Sequence, residues 1–328
     1  MGPRRRYSGD RRGGDVNPGD GTDIIRIGTR GSELALWQAH HVQGLLGALG
    51  VRTSLTIIKT QGDRIDDVPL SQLEGKGFFT KELEDAQLDG RVDLAVHSMK
   101  DLATGMPAGL VLAALVGRED PREALLVRPD CVDRERLAAG ELLPLPDGAR
   151  MGTSAARRQA QLRDLRPDLT IADLRGNVPT RVRKLREGQY DAILLARAGV
   201  LRLELDLGDL CVLPLEVDDF VPAPAQGMLA LQCRDEPRVR ELVHRLHCEP
   251  DGRAVAVERA LLERLDGGCQ LPFGVNVRRL GDGFRLSAFW SPRDGVGAPL
   301  HLRLDGPDPE ALGDEALRRI RAREGKPA

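Results

Sequence analysis

Aromatic side chains are scarce in this 328-residue chain: two Trp, two Tyr and six Phe, 3% of the sequence. A core must therefore be built from Leu, Val, Ile and Ala. Long apolar runs are also missing. None approaches the ~18–20 residues that a membrane-crossing helix requires, which excludes an integral helical membrane protein. No single sign of charge dominates either, since 48 basic residues stand against 50 acidic ones. That balance of −2 gives no global field of the kind nucleic-acid binders carry. The five cysteines (Cys131, Cys211, Cys233, Cys248 and Cys269) are odd in number, scattered and without a C-x-x-C pair. This excludes a disulfide framework and a zinc site, and it fits a reducing cytosol. Lysine is rare, six residues against forty-two Arg. Codon bias accounts for most of that excess, so where the arginines cluster matters more than how many there are.

What remains is ordinary globular material, 41% hydrophobic and 30% charged, long enough for two or three domains. Residues 1–22 are rich in Gly, Arg and Asp with almost nothing to bury, and read as a disordered tail. No apolar segment follows their Arg clusters, so no export signal is indicated. From Ile24 onward strands and helices alternate. Strands are expected at 24–27, 53–58, 92–96, 110–115 and 124–128. Helices are expected at 33–49, with Leu34, Trp37, Leu45 and Leu49 along its buried stripe, and at 80–88. The rhythm repeats after Pro146 with helices at 154–165 and 178–187 and strands at 169–172 and 192–196. Residues 213–225, with Pro214, Pro222 and Pro224, read as an edge or hinge. Two helices (238–247 and 252–265), a small antiparallel sheet (273–279, 283–290 and 299–304) and a helix at 309–323 complete the chain. The expected fold class is α/β: two periplasmic-binding-protein-like α/β lobes around largely parallel sheets with a hinge, plus a small C-terminal α+β domain. The expected domains are 23–118 with 220–238, 119–219, and 245–328.

In open α/β sheets ligands bind beyond the carboxyl ends of the strands. Thr29-Arg30-Gly31-Ser32 lies at such an end and opens a helix, an anion-binding combination. His97-Ser98-Met99-Lys100-Asp101 follows the apolar strand 92–96 and places a cation beside a carboxylate. Gly75-Lys76-Gly77-Phe78-Phe79 lacks phosphate-loop spacing and reads as a loop able to cover a ligand. Between Arg157 and Arg186 nine basic residues face three acidic ones with no aromatic among them. Base stacking is thus unprovided for, and several carboxylates or phosphates on a small ligand suit the stretch better. Cys269 follows two glycines at a helix end, which opens the backbone around its thiol. Read locally, a free cysteine is usually a buried small hydrophobe, and a reactive Cys269 is the minority reading. His244, His247 and Cys248 lack a second cluster to complete a metal site.

Together these pieces resemble the porphobilinogen deaminase (hydroxymethylbilane synthase) family. The matching segments run in order: IRIGTRGSELALWQA (25–39), GKGFFTKELEDA (75–86), VDLAVHSMKDL (92–102), GTSAARRQAQL (152–162), LRGNVPTRVRKL (174–185), YDAILLARAG (190–199), PAQGMLALQCR (224–234) and ERALLERLDGGCQLPFGV (258–275). The resemblance implies head-to-tail condensation of four porphobilinogen molecules into hydroxymethylbilane with loss of ammonia. It implies a dipyrromethane cofactor on a thioether to Cys269 that anchors the growing chain. Asp101 falls on the catalytic carboxylate, suited to stabilising cationic pyrrole intermediates. Ser32, Lys100, Arg157, Arg158 and Arg175 fall on cofactor-binding positions. Arg30, Arg175, Arg181 and Arg202 fall on substrate-binding ones, with Lys76 and Phe79 in the loop over the site. The resemblance further implies a cytoplasmic monomer with no metal, nucleic-acid or membrane partner.

Three positions depart from the family pattern: Gln72 where Lys is common, Ala155 where a second Ser is usual, and Ala225 in place of a Gly. Altered rate or affinity is expected from them, or a paralogue of weakened activity. The rival from another class is a two-lobed small-anion binding protein, which would give Cys269 no role.

Overall fold

The computed structural model describes residues 24–60, 80–268, 270–293 and 295–325. The tail 1–22 and Lys76, Phe79, Gln72 and Cys269 lie outside the described residues.

Two five-stranded sheets and one three-stranded sheet organise the described residues. The first sheet is built from β1 (Ile25–Thr29), β2 (Thr53–Ile57), β3 (Leu94–Ser98), β4 (Leu110–Val116) and the late strand β10 (Leu229–Arg234), in the order β2-β1-β3-β10-β4. The second contains β5 (Glu123–Val127), β6 (Arg150–Gly152), β7 (Thr170–Ala172), β8 (Ala192–Ala196) and β9 (Cys211–Leu215), in the order β7-β6-β8-β5-β9. The third is the antiparallel β11 (Phe273–Leu280), β12 (Gly283–Trp290) and β13 (Leu300–Gly306). Helix α8 (Glu249–Arg264) and the last helix, α9 (Pro309–Glu324), pack on it over a core that includes Leu261, Val275, Leu286 and Ile320.

Each large sheet is mixed, which corrects the largely parallel arrangement expected from strand–helix alternation. β10 runs antiparallel to both β3 and β4, and β5 runs antiparallel to both β8 and β9. These two strands are the landing points of the two crossings between lobes, 117–122 and 216–228. β10 escaped the sequence reading because it is buried on both faces and shows no alternation. The stretch 213–225 divides: its start belongs to β9, an edge strand, and the remainder is crossing.

Helix α1 (Glu33–Ala48) buries Gln38, Ala39, Val42 and Leu46, not the Leu34-Trp37-Leu45-Leu49 stripe. On the buried face Ala39, Val42 and Leu46 join the core, and Gln38 Nε2 donates to Ser98 Oγ at 2.8 Å. The strand expected at 92–96 sits two residues later, at 94–98, and Met99–Asp101 then forms a single 3-10 turn.

The two crossings are bonded to each other. Glu119 N–H donates to the Gly227 carbonyl at 3.0 Å, and Arg118 Nε donates to the Gln226 carbonyl at 3.3 Å. A Cβ at Gly227 (φ +89°) would sit 2.2 Å from the Glu119 carbonyl oxygen, so only glycine permits this approach. Buried Glu258 of α8 joins the C-terminal domain to the same place, accepting from Ala225 N–H, Val277 N–H and Arg118. Burial raises the Glu258 carboxyl above its ordinary range despite the Arg118 guanidinium.

Candidate active site

The catalytic candidates gather where strand ends of the two lobes face each other. On the first lobe, Ser32 caps α1, accepting from Ala35 N–H at 3.3 Å, and half-buried Arg30 precedes it. Beyond β3 the 3-10 turn delivers Lys100 and Asp101, with the Asp101 residue exposed. A cavity of about 90 Å³ lies between them, lined by Arg30, Ser32, Thr80, His97, Ser98 and Asp101 among others. Thr80 is 2% exposed, makes no side-chain cap bond to α2 (Lys81–Leu88), and leaves its hydroxyl without a partner. His97 sits at the base of this cavity with Nε2 3.0 Å from Gln232 Oε1. Burial, with Arg30 nearby, pushes its imidazole down to about 4, so it is neutral at pH 7.

On the second lobe the arginines divide into two groups. Arg157 and Arg158 in α4 (Ala156–Leu165) are buried and committed. Arg158 Nε and Nη2 engage the two oxygens of Glu123 at 3.1 and 2.7 Å, while its Nη1 donates to the Leu194 carbonyl. Arg157 Nη2 shares Glu123 Oε1, and its Nη1 donates to the Val221 carbonyl at 2.7 Å. Burial alone would raise the fully buried Glu123 carboxyl, but Arg158 and Arg157 together hold it down at about 2. Arg202, in α6 (Arg197–Arg202), is committed too: it donates to the Gly227 carbonyl at 2.6 Å and lies over the Trp37 ring.

The second group faces the cleft. Arg175 precedes α5 (Val178–Arg186), is half-buried, and leaves its buried Nη1 without a partner. Arg181 donates through Nε to the Gly176 carbonyl at 2.7 Å. Burial and its neighbours Arg158 and Arg175 lower it to about 10, with Asp101 opposing, so it stays charged at pH 7. Burial likewise lowers Lys100, with Asp101 and Glu123 opposing the shift and Arg158 and Arg157 adding to it. Its Nζ also donates to Gln226 Oε1 at 3.3 Å, which ties the site to the crossing.

The structure thus places Arg30, Ser32 and Asp101 on one small cavity, with Lys100 and Arg181 facing Asp101 and Arg175 facing Arg181. It sets Arg157 and Arg158 behind Lys100, and Arg202 at the crossing. Sequence reasoning missed Glu123, Gln226, Gln38 and Thr80. Only Glu123 carried a signal, as a carboxylate opening the otherwise apolar strand EALLV. A larger depression of about 480 Å³ lies away from this chemistry, where its Arg26 and Arg234 are both paired with Asp93. Among the described residues no His, Cys, Asp and Glu group forms a metal centre, and no helix is long and apolar enough to cross a membrane.

A carboxylate at a strand end, faced by Lys100 from its own lobe and Arg181 from the other, lies on two α/β lobes that carry a third, smaller domain. Residues 25–241 match the family model described as porphobilinogen deaminase, dipyromethane cofactor binding domain, and residues 253–322 match the porphobilinogen deaminase C-terminal domain. The porphobilinogen deaminase of Syntrophotalea carbinolica is 50% identical over 259 residues, covering 78% of this chain and 79% of that one. That of Trichlorobacter lovleyi is 45% identical over 307 residues, covering 92% and 94%. A periplasmic substrate-binding protein of an ABC transporter from Coxiella burnetii aligns at 14% identity and a TM-score of 0.43, over 72% of this chain and 95% of that one. The chain belongs to the porphobilinogen deaminase family. Its activity is that of hydroxymethylbilane synthase, a transferase, and its cofactor is dipyrromethane.

Proposed function

We propose that the chain acts as a cytoplasmic monomer, joining four porphobilinogen molecules head to tail into hydroxymethylbilane with release of ammonia. Its dipyrromethane is held through a thioether to Cys269. The residues present fit such a group, because a polycarboxylate requires cations with donor capacity left over. The single observation that carries the reading is the buried Arg175 Nη1 without a partner, beside Arg181 and opposite Asp101. When bound, the cofactor supplies the primer and anchor on which the product is built.

The chain's own groups do the rest. Arg30, Ser32, Lys100, Arg175 and Arg181 bind acetate and propionate side chains and orient each ring. Asp101 lies against the pyrrole N–H of the reacting porphobilinogen. Its carboxylate stabilises the positive charge that develops as ammonia leaves, then accepts the proton released when the new carbon–carbon bond forms. Neutral His97 adds no competing cation beneath the pocket. Arg157 and Arg158 contribute positive potential from behind Lys100, and Arg202 holds the crossing beside the site.

Intact mass of the purified chain beside Cys269→Ser tests this. The expected result is an excess of one dipyrromethane on the parent and none on the variant. A parent at its bare sequence mass that gains nothing from porphobilinogen would contradict the reading.

A further inference from the structure

Arginine does not deprotonate in proteins, so two adjacent buried guanidiniums need a counter-charge built into the fold. Arg157 and Arg158 are 6% and 5% exposed, and among the described residues the one carboxylate in contact with both is Glu123, itself fully buried. Its grip is directional. Both oxygens fork onto Nε and Nη2 of Arg158, and Oε1 is shared with Arg157 Nη2. The Val221 and Leu194 carbonyls fix the outer nitrogens. Lys100 faces the same carboxylate from the 3-10 turn, and Arg181 faces Arg158 from α5. Asp101 in turn faces Lys100 and Arg181. One carboxylate from β5 therefore touches Arg157 and Arg158 and faces Lys100, and Lys100 and Arg158 in turn face Asp101 and Arg181 respectively.

We propose that Glu123 is a positioning residue of the condensation site. It fixes the Arg157–Arg158 pair behind Lys100 and cancels one of the pair's two charges, so that the potential reaching ligand carboxylates orders them without holding them too tightly to advance. This rests on the function proposed above. Excess positive charge would bind substrate, intermediates and product alike, and such uniform binding lowers KM without raising kcat. Glu123 thus separates ring turnover from ring affinity.

The test uses the full-length parent, Glu123→Gln and Glu123→Asp, each characterised by thermal melting, by intact mass, and by kinetics per cofactor-loaded chain. For Glu123→Gln the expected result is a kcat lower by about tenfold, the effect of one misplaced charge-assisted hydrogen bond, with KM unchanged or lowered. Masses carrying extra pyrrole units persist on this variant after substrate is removed. Glu123→Asp keeps the charge but withdraws it by one methylene, and regains part of kcat. A Glu123→Gln that melts like the parent and has parental kcat and KM overturns the proposal, as does one with raised KM and unchanged kcat. If Glu123→Gln does not fold, Glu123→Asp decides. A lowered kcat at unchanged KM supports positioning, and parental kinetics overturn it. A parent with neither cofactor mass nor turnover would instead defeat the proposed function.

Discussion

The two large sheets follow one strand plan and put different chemistry at equivalent ends. In each, three parallel strands are followed by an antiparallel strand and an edge strand, so β1 corresponds to β6, β3 to β8 and β10 to β5. After β1 a serine caps the helix; after β6 the equivalent N-cap is Ala155, whose side chain makes no cap bond. After β3 come Lys100 and the exposed Asp101; after β8 comes α6 with the committed Arg202. The first lobe spends its strand ends on the acid and a small pocket. The second spends them on arginines, some tied into its own interior. A shared backbone plan therefore does not fix which side brings the acid and which the cations.

The largest break in this asymmetry is Asp101→Asn, which leaves the cation ring intact. It should keep the parental melting temperature and lose about 10²–10⁴-fold in kcat, the usual weight of a positioned acid–base group. Near-parental turnover would remove Asp101 from the chemistry.

A second difference lies inside the sheets. β3 carries His97 where β8 carries Leu195, so the first lobe alone has a buried titrating group at that position. The unfolded chain takes up a proton near pH 6.5, whereas folded His97 resists until about 4. The associated stability is complete above pH 6.5 and lost as pH falls toward 4, a change of up to about 3 kcal/mol. Denaturant midpoints between pH 7 and 4.5 should fall in the parent and fall less steeply in His97→Gln. Equal slopes would show that His97 is not the source.

Thr80→Val should move two readouts in opposite directions. Losing a buried hydroxyl without a partner raises the melting temperature, and losing a donor to a ligand carboxylate lowers kcat/KM by about tenfold. A hydroxyl with a merely structural role would leave kcat/KM unchanged.

The smallest change tests the missing cap. Ala155→Ser should add about 1 kcal/mol, seen as a rise of about 2 °C in Tm. No rise would mean that the α4 start is already satisfied.

Much of this was legible in the chain because its chemistry is local. His97 to Asp101, and Arg175 with Arg181, are short segments whose spacing survives folding. The helix α1 face was not legible, because it buries Ala39, Val42 and Leu46 in the core together with Gln38, whose bond to Ser98 lies sixty residues away. Glu123, Gln226 and Glu258 act on partners far along the chain, and periodicity carries no trace of such pairings. The in-fold partners of Arg157, Arg158 and Arg202 were hidden for the same reason, being Glu123 and the Val221, Leu194 and Gly227 carbonyls.

The plan of two crossings also bears on how the chain is made. β3 and β4 do not pair with each other; β10 lies between them, and it comes after every strand of the second sheet. A nascent chain ending near residue 216 already owns a whole second sheet, while its first sheet is still in two pieces with open edges. Long-range strand pairing is slow, and unpaired edges invite aggregation. The lobe translated first is thus the lobe completed last, and the half bearing the acid depends on the finished synthesis of the half bearing most of the arginines.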